Sequence, residues 1–235
     1  MVLAERHPHE SGRDYAKRVI RDNIISLELK PGTPISDREL AAWMNLSRTP
    51  VREALLELEK VKIVEIYPQR GSAVSLIDYN LVEEAQFVRS VLEAAVVQLA
   101  CEKASQEQLE LLKENVALQE FYYQHGSSDR LLEMDDEFHR MLFQIADRMQ
   151  AYEMMRSITV HFDRVRSLAV TAVKEHLWMN DHSQIYETIA SHDKEKARQL
   201  MEKHLNRYKV DEVALREQYP QYLSLIHISE PTRPY

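Results

Sequence analysis

Two sets of residues in this chain have types and spacing that could do chemistry. The first is Leu46-Ser47-Arg48-Thr49-Pro50-Val51-Arg52-Glu53-Ala54-Leu55. Ser47 suits a helix N-cap, and Pro50 is tolerated in the first turn, where amides lack an intrahelical partner. Arg48 and Arg52 are one helical turn apart, so their guanidinium groups leave one face, with the Thr49 hydroxyl beside them. Val51, Ala54, Leu55 and Leu58 form the apolar face behind. A helix start with two arginines, a hydroxyl and the positive dipole end suits phosphates and guanine edges. The plainer reading is an amphipathic helix with solvated arginines. The second set is Asp135 and His139, one turn apart, with His182 and His204, each followed or preceded by apolar residues at core spacing. Three imidazoles and a carboxylate could converge inside a bundle on a divalent ion such as zinc, manganese or nickel. Spacing alone leaves open that each histidine is simply a satisfied core or surface residue.

The elements that must position these residues are mostly helical. The 235 residues include only 4 glycines and 8 prolines, which favours long helices over a loop-rich β architecture. A single cysteine, Cys101, excludes an intramolecular disulfide and suits a reducing compartment. No window approaches a membrane span and no apolar run follows a basic N-terminus, so a cytoplasmic protein is expected. The net charge of −8 looks unfavourable for nucleic acid until the chain is divided. Residues 1–78 hold 12 basic and 12 acidic side chains, and the remainder 18 and 26, so the excess belongs to the second part. The local charge around 38–52 is what matters.

Residues 1–12 are polar and expected to be loose. A helical stripe of Tyr15, Val19, Ile20, Ile24 and Leu27 stops at Leu29-Lys30-Pro31-Gly32. Ser36-Asp37-Arg38-Glu39 reads as a capping box opening a short helix to Met44. Asn45 can take the left-handed turn before the Ser47 helix, which should run to about Val61. Two short helices joined this way form a helix-turn-helix. Alternation over 63–67 and 73–76 about Pro68-Gln69-Arg70-Gly71 predicts a hairpin, a wing whose Arg70-Gly71 tip suits a minor groove. From Asp78, six helices are expected: Tyr79–Ala104, Gln106–His125, Asp129–Arg148, Gln150–Val173, Trp178–His192 and Lys194–Tyr219. In the first, Leu81, Ala85, Val88, Leu92, Val96 and Leu99 read as the core stripe. The fold class is therefore mainly α: an N-terminal winged helix-turn-helix (1–77), then an all-α antiparallel helical bundle (78–222). The run Leu223–Tyr235 fits no helix, resembles translated sequencing-adapter sequence, and is set aside as non-native.

Residues 14–77, with "LKPG", "ISDRELAAWMNLSRTPVREALLELEKVKIV" and "QRGSAVS", resemble the winged helix of the GntR family of bacterial transcription regulators. The resemblance implies double-stranded operator DNA as partner, contacted by Arg38, Ser47, Arg48, Thr49, Arg52, Arg70 and Gly71. Asn45 and Lys62 stand where the family usually has glycine. Residues 79–218, with "FVRSVLEAAVVQLA", "MDDEFHRMLF" and "NDHSQIYETIASHDKEKARQLMEKHL", resemble the FCD domain of the FadR-type branch. Its metal pattern falls on Asp135, His139, His182 and His204. It also implies a small carboxylate or sugar-acid effector held beside the metal by Arg89 and by Arg164 or Arg166. Salt bridges to the bundle's acids are the alternative for those arginines. Asp147-Arg148 replaces a usual glycine-asparagine pair, and six bundle helices would point to the smaller, VanR-like subgroup.

The reading that follows is a dimeric, ligand-responsive transcription regulator, a repressor by family habit, and not an enzyme. Its rival is a metal-dependent helical-bundle enzyme with an accessory DNA-binding domain. That rival lacks a His-Glu-x-x-His motif, and the chain lacks the paired Glu-x-x-His helices of a di-iron site. A plain DNA-bending protein is a third reading, but helix and wing suit major-groove readout better.

Overall fold

In a computed structural model, the structure describes residues 1–172, 178–206 and 208–224. They form two compact units. The first contains Met1–Val82, Val160–Val165 and the described residues from Arg216; the second contains Glu83–Thr159 and Arg166–Leu215. A division at 77/78 treats each domain as continuous, whereas the first unit also takes up Val160–Val165 and residues from Arg216.

The first unit begins with α1 (Gly12–Ile25), capped by the Ser11 side chain, which accepts the Asp14 amide. Residues 1–10 are not loose. Val2 N–H donates to Asn23 Oδ1, the Tyr15 hydroxyl donates to the Ala4 carbonyl, and Arg18 is paired with Glu10, so polar side chains of α1 hold the segment. Then come β1 (Pro34–Ile35), α2 (Asp37–Trp43), α3 (Arg48–Lys60), β2 (Val64–Tyr67) and β3 (Gly71–Val74). The expected hairpin is β2–β3, paired from Val64↔Val74 to Tyr67↔Gly71. The two-residue β1 completes an antiparallel sheet in the order β1-β3-β2; it is too short to show a pattern in sequence. The core joins Val19, Ile20 and Ile24 of α1 to Leu40, Val51, Leu55, Leu58 and Val74, with Val160 added.

The second unit's helices come from α4 (Tyr79–Lys103), α5 (Gln106–Gln124), α6 (Ser128–Ile145), α7 (Met149–Ile158), α8 (Val160–Ala172), α9 (Trp178–Ala190), α10 (Lys194–Leu205) and α11 (Tyr208–Gln218). Two of the six expected helices are each divided, so eight are found among the described residues. The first division falls at Ile158-Thr159-Val160, three β-branched residues in a row, which crowd the preceding turn. The second follows Asn206, whose side-chain amide bonds back to the Glu202 carbonyl at 2.7 Å. Helix count therefore no longer points to one subgroup. Position 173 of the fourth expected helix lies outside the described residues.

Phe138, Leu142, Phe143, Ile185, Ile189 and Met201 centre this core. The stripe expected on α4 is met in part: Ala85 and Val96 are buried, Leu81, Val88, Leu92 and Leu99 are partly buried, and Gln86, Arg89 and Glu93 share the buried face. On that face the Gln86 amide donates to the Leu205 carbonyl and Arg89 Nε donates to Glu93 Oε1. Of the run set aside as non-native, Leu223 and Ser224 are ordered against Ile77: Leu223 is buried, and the Ser224 amide donates to the Ile77 carbonyl at 2.9 Å. The rest of that run lies outside the described residues.

Candidate nucleic-acid interface and candidate metal centre

On the first unit, α3 follows a turn in which Asn45 takes φ +52°, as its amide side chain allows. Ser47 stands at the N-cap, but its hydroxyl makes no capping bond. The reason is local: the N3 position is Pro50, which has no N–H to offer. That hydroxyl is left exposed, together with Arg48, Thr49 and Arg52. Arg48 Nη2 donates to both carboxylate oxygens of Asp37 at 2.9 and 3.0 Å, and Arg52 Nε donates to the same group. Partial burial acts to raise the Asp37 carboxyl, and the Arg52 and Arg48 guanidinium groups together outweigh it and lower it. Arg38 is exposed one residue further on. The wing turns at Gln69 (φ +62°) and Gly71 (φ +97°), with exposed Arg70 between them. An open groove is lined by Asp37, Arg48, Arg52, Tyr67, Gln69 and Arg70, so helix and wing present cations to one surface. That surface suits a polyanion, with the arginine charges partly offset by one acid.

In the second unit, one ligand atom each from Asp135, His139, His182 and His204 lie within 4.8 Å of one another, and all four residues are buried. Asp135 and His139 come from one face of α6, His182 from α9 and His204 from α10. His204 Nε2 is 3.1 Å from His182 Nε2 and 3.3 Å from His139 Nε2, while Asp135 Oδ1 is 3.6 Å from His182 Nε2. The far side of each imidazole faces an acceptor. His182 Nδ1 donates to Gln119 Oε1 at 2.6 Å. The Gln119 amide is oriented by its own bond to Asn115 Oδ1, and Asn115 in turn donates to the Met134 carbonyl. His139 Nδ1 stands against Glu93 Oε2, and His204 Nδ1 is 3.7 Å from Asp181 Oδ2. With protons directed outward on Nδ1, bare Nε2 lone pairs face each other across about 3 Å, which is repulsive unless a cation lies between them. Tetrahedral nitrogens at about 2.0–2.1 Å from zinc stand roughly 3.3 Å apart, close to the spacing found. Burial, then the neighbouring imidazoles of His204 and His139, push His182 well below its ordinary range, so it stays neutral. Burial lowers His204 as well. The donor set fits a borderline divalent ion.

Arg166 reaches this cluster, donating from Nη1 to Asp135 Oδ2 and from Nη2 to Asp136. Arg89 is brought in through Glu93, whose Oε1 accepts from Arg89 Nε at 2.6 Å. Both arginines thus make the salt bridges that stood as their alternative. Arg164 is a correction. It belongs to the first unit, is fully buried, and donates to the Ser75 carbonyl at 2.5 Å and the Ser75 hydroxyl at 3.3 Å. Helical spacing places residues 164 and 166 on different faces of α8, so one approaches Asp135 and the other does not.

Sequence reading overlooked Glu93, Gln119 and Asp181. Glu93 had a usable signal: a carboxylate one turn after Arg89 inside the apolar run Val91–Ala100. Gln119 and Asp181 had none, since both residue types are common on helix surfaces.

The FCD domain family matches residues 84–207, and the family of bacterial regulatory proteins, gntR, matches residues 14–74. The transcriptional repressor RspR of Escherichia coli K12 is 30% identical over 205 residues, 87% of this chain and 90% of that protein. Among solved structures, McbR/YncC of E. coli superposes with a TM-score of 0.76 at 21% identity, covering 89% of this chain and 99% of that one. A putative GntR regulator from Rhodococcus sp. RHA1 gives 0.74 at 23% identity, covering 87% and 99%. At these identities the two structures speak for the fold. The curated relatives are regulators rather than enzymes, and no described helix is long and apolar enough to cross a membrane. The chain therefore belongs to the GntR family of bacterial regulatory proteins, as a DNA-binding transcription regulator with an N-terminal GntR helix-turn-helix and a C-terminal FCD domain.

Proposed function

We propose that this regulator is a dimeric, effector-responsive repressor that binds one divalent metal ion per chain. Residues 1–77 read the operator: Arg48, Arg52 and Thr49 enter the major groove from the start of α3, Ser47 and Arg38 take phosphates, and Arg70-Gly71 follows the adjacent minor groove. Asp37 holds both reading arginines in the free protein, and DNA takes its place. Residues 78–222 hold the metal on Asp135, His139, His182 and His204. The bound ion supplies Lewis acidity and open coordination positions to a small carboxylate or sugar acid. Arg89 and Arg166 orient that anion by competing it against Glu93, Asp135 and Asp136. Exposed Phe87 and Val91, one turn apart on α4, support pairing of two copies. Repression is the activity named for RspR, and effector release of DNA is the simplest use of the second site.

The observation that carries the metal and effector reading is the convergence of three Nε2 atoms, with His204 Nε2 3.1 Å from that of His182 and 3.3 Å from that of His139, and acceptors facing their Nδ1 atoms. Metal analysis of the purified protein, joined to thermal shifts with organic and sugar acids with and without chelator, tests it. A ligand at ~100 times its dissociation constant stabilises by about 2.7 kcal/mol. One ion per chain is expected, with an acid-induced shift that chelation abolishes. His139→Ala should lose the ion and keep its helical circular dichroism. A variant that retained stoichiometric metal would remove His139 from the ligand set.

A further inference from the structure

Glu93 is nearly inaccessible, 1% exposed, and its two oxygens are committed to different partners. Oε1 accepts from Arg89 Nε, one turn earlier on α4. Oε2 is in ion-pair contact with Nδ1 of His139 on α6, and neither atom makes an aligned hydrogen bond. One carboxylate therefore stands between the guanidinium proposed to meet the anion and the imidazole proposed to meet the metal. We infer that Glu93 is a positioning residue for the metal centre: it holds the proton of His139 on Nδ1, aims Nε2 at the ion, and is itself held by Arg89.

The inference rests on the metal reading above and adds a residue and a direction to it. An anionic acceptor behind an imidazole fixes its tautomer and raises its basicity as a ligand, and loss of such a partner typically costs 10–100-fold in metal affinity. Glu93 suits that role because the buried Arg89 guanidinium one turn earlier on the same helix pairs with it, so a carboxylate is held inside the core behind His139. Gln119 plays the corresponding part for His182 as a neutral acceptor. Asp181 stands farther from His204, so His139 is the ligand whose orientation depends on a charge in direct contact. Arg89 supports that arrangement from the other oxygen of Glu93, and removing it would leave a buried carboxylate unpaired.

The test uses full-length protein stripped of metal, with zinc alone as probe. Zinc affinity is measured against a chromophoric competitor for the wild type, Glu93→Gln and Asp181→Asn, and nitrogen-detected NMR reports the His139 tautomer. Expected are a 10–100-fold loss for Glu93→Gln with unchanged helical circular dichroism, and a His139 signal no longer confined to the Nδ1–H form. Asp181→Asn, whose carboxylate stands farther from its imidazole, should lose less and leave the His139 tautomer unchanged. Wild-type affinity in Glu93→Gln, or an equal loss in both variants, overturns the inference, since the site would then respond to removal of any nearby carboxylate. If Glu93→Gln unfolds, Glu93→Asp replaces it; a shorter carboxylate that leaves affinity and tautomer unchanged counts equally against. A wild type that takes up no zinc defeats the metal reading itself and is told apart by that alone.

Discussion

Acidifying the medium from pH 7 to pH 5 should loosen the DNA-binding unit through one buried histidine. His161 opens α8 and belongs to the first unit, where its Nε2 is 2.8 Å from the Val61 carbonyl at the end of α3. A carbonyl only accepts, so Nε2 carries the proton, and Nδ1 is buried without a hydrogen-bond partner. Protonating Nδ1 would place a second N–H where nothing receives it, beside the Arg164 guanidinium. Burial first and Arg164 second accordingly push His161 from 6.5 to about 4. The unfolded chain therefore binds a proton between these two values that the folded chain refuses, and stability falls as pH falls through that window. With those two values the loss is roughly 0.2 kcal/mol at pH 7 and about 2 kcal/mol at pH 5.

A drop of that size is worth about ten degrees in melting temperature for a unit of this length. Trp43 lies in α2 of this unit, so urea unfolding followed by its fluorescence, in a Trp178→Phe background, reads the right part of the chain. His161→Gln keeps a donor for Val61 and removes the titration. The variant should be somewhat less stable than its parent at pH 7 and should close the gap by about 2 kcal/mol at pH 5, because every other group titrates alike in both proteins. Parallel loss in the two proteins would show that His161 accepts its second proton freely, and the structural argument would be wrong.

Arg48→Ala or Arg52→Ala should cost roughly 1–3 kcal/mol in operator binding and relax base choice at one position; uniform loss over all sequences would make the side chain a phosphate contact instead. Lys62 ends α3 with φ +60°, so Lys62→Gly should stabilise by up to about 1 kcal/mol in chemical denaturation, and a destabilised variant would mean its side chain contributes more than the backbone costs. The same change at His192 (φ +59°) should gain nothing, because the His192 ring bonds the Cys101 carbonyl at 2.6 Å. Cys101 is fully buried and its thiol is pushed up to about 11, mainly by burial, so alkylation at neutral pH should be slow until denaturant is added; rapid labelling of native protein would contradict its place in the core.

The helix-turn-helix was legible because its signals are local. Ser36 at the start of α2, Asn45 in the turn, Ser47 before α3 and the Pro68–Gly71 wing tip each act within four residues of themselves. Where local signals competed, the reading went astray. Ser47 was expected to cap α3 through its hydroxyl, yet Pro50 removes the amide that would answer it. The strand at Pro34–Ile35 depends on Ala73 and Ser72, nearly forty residues away, and two residues carry no period. The break at Thr159 is a matter of accumulated β-branching, which weakens a helix without forbidding it.

The candidate metal centre divides in the same way, for a different reason. Histidine amid apolar residues is uncommon enough that His139, His182 and His204 identify themselves, and Asp135 joins them through helical spacing. Their supports do not, because glutamate, glutamine and aspartate are ordinary on helices, and only rotation of α4, α5 and α9 decides which are inside. Reading α4 by its leucines and valines put Leu92 in the core and Glu93 outside; the structure reverses that emphasis, since Glu93 is buried and Leu92 only partly so. A buried arginine and glutamate one turn apart neutralise each other, so together they can occupy core positions that neither could hold singly. The sequence mark of such a face is a paired charge inside an apolar run, and Arg89 with Glu93 is that mark here.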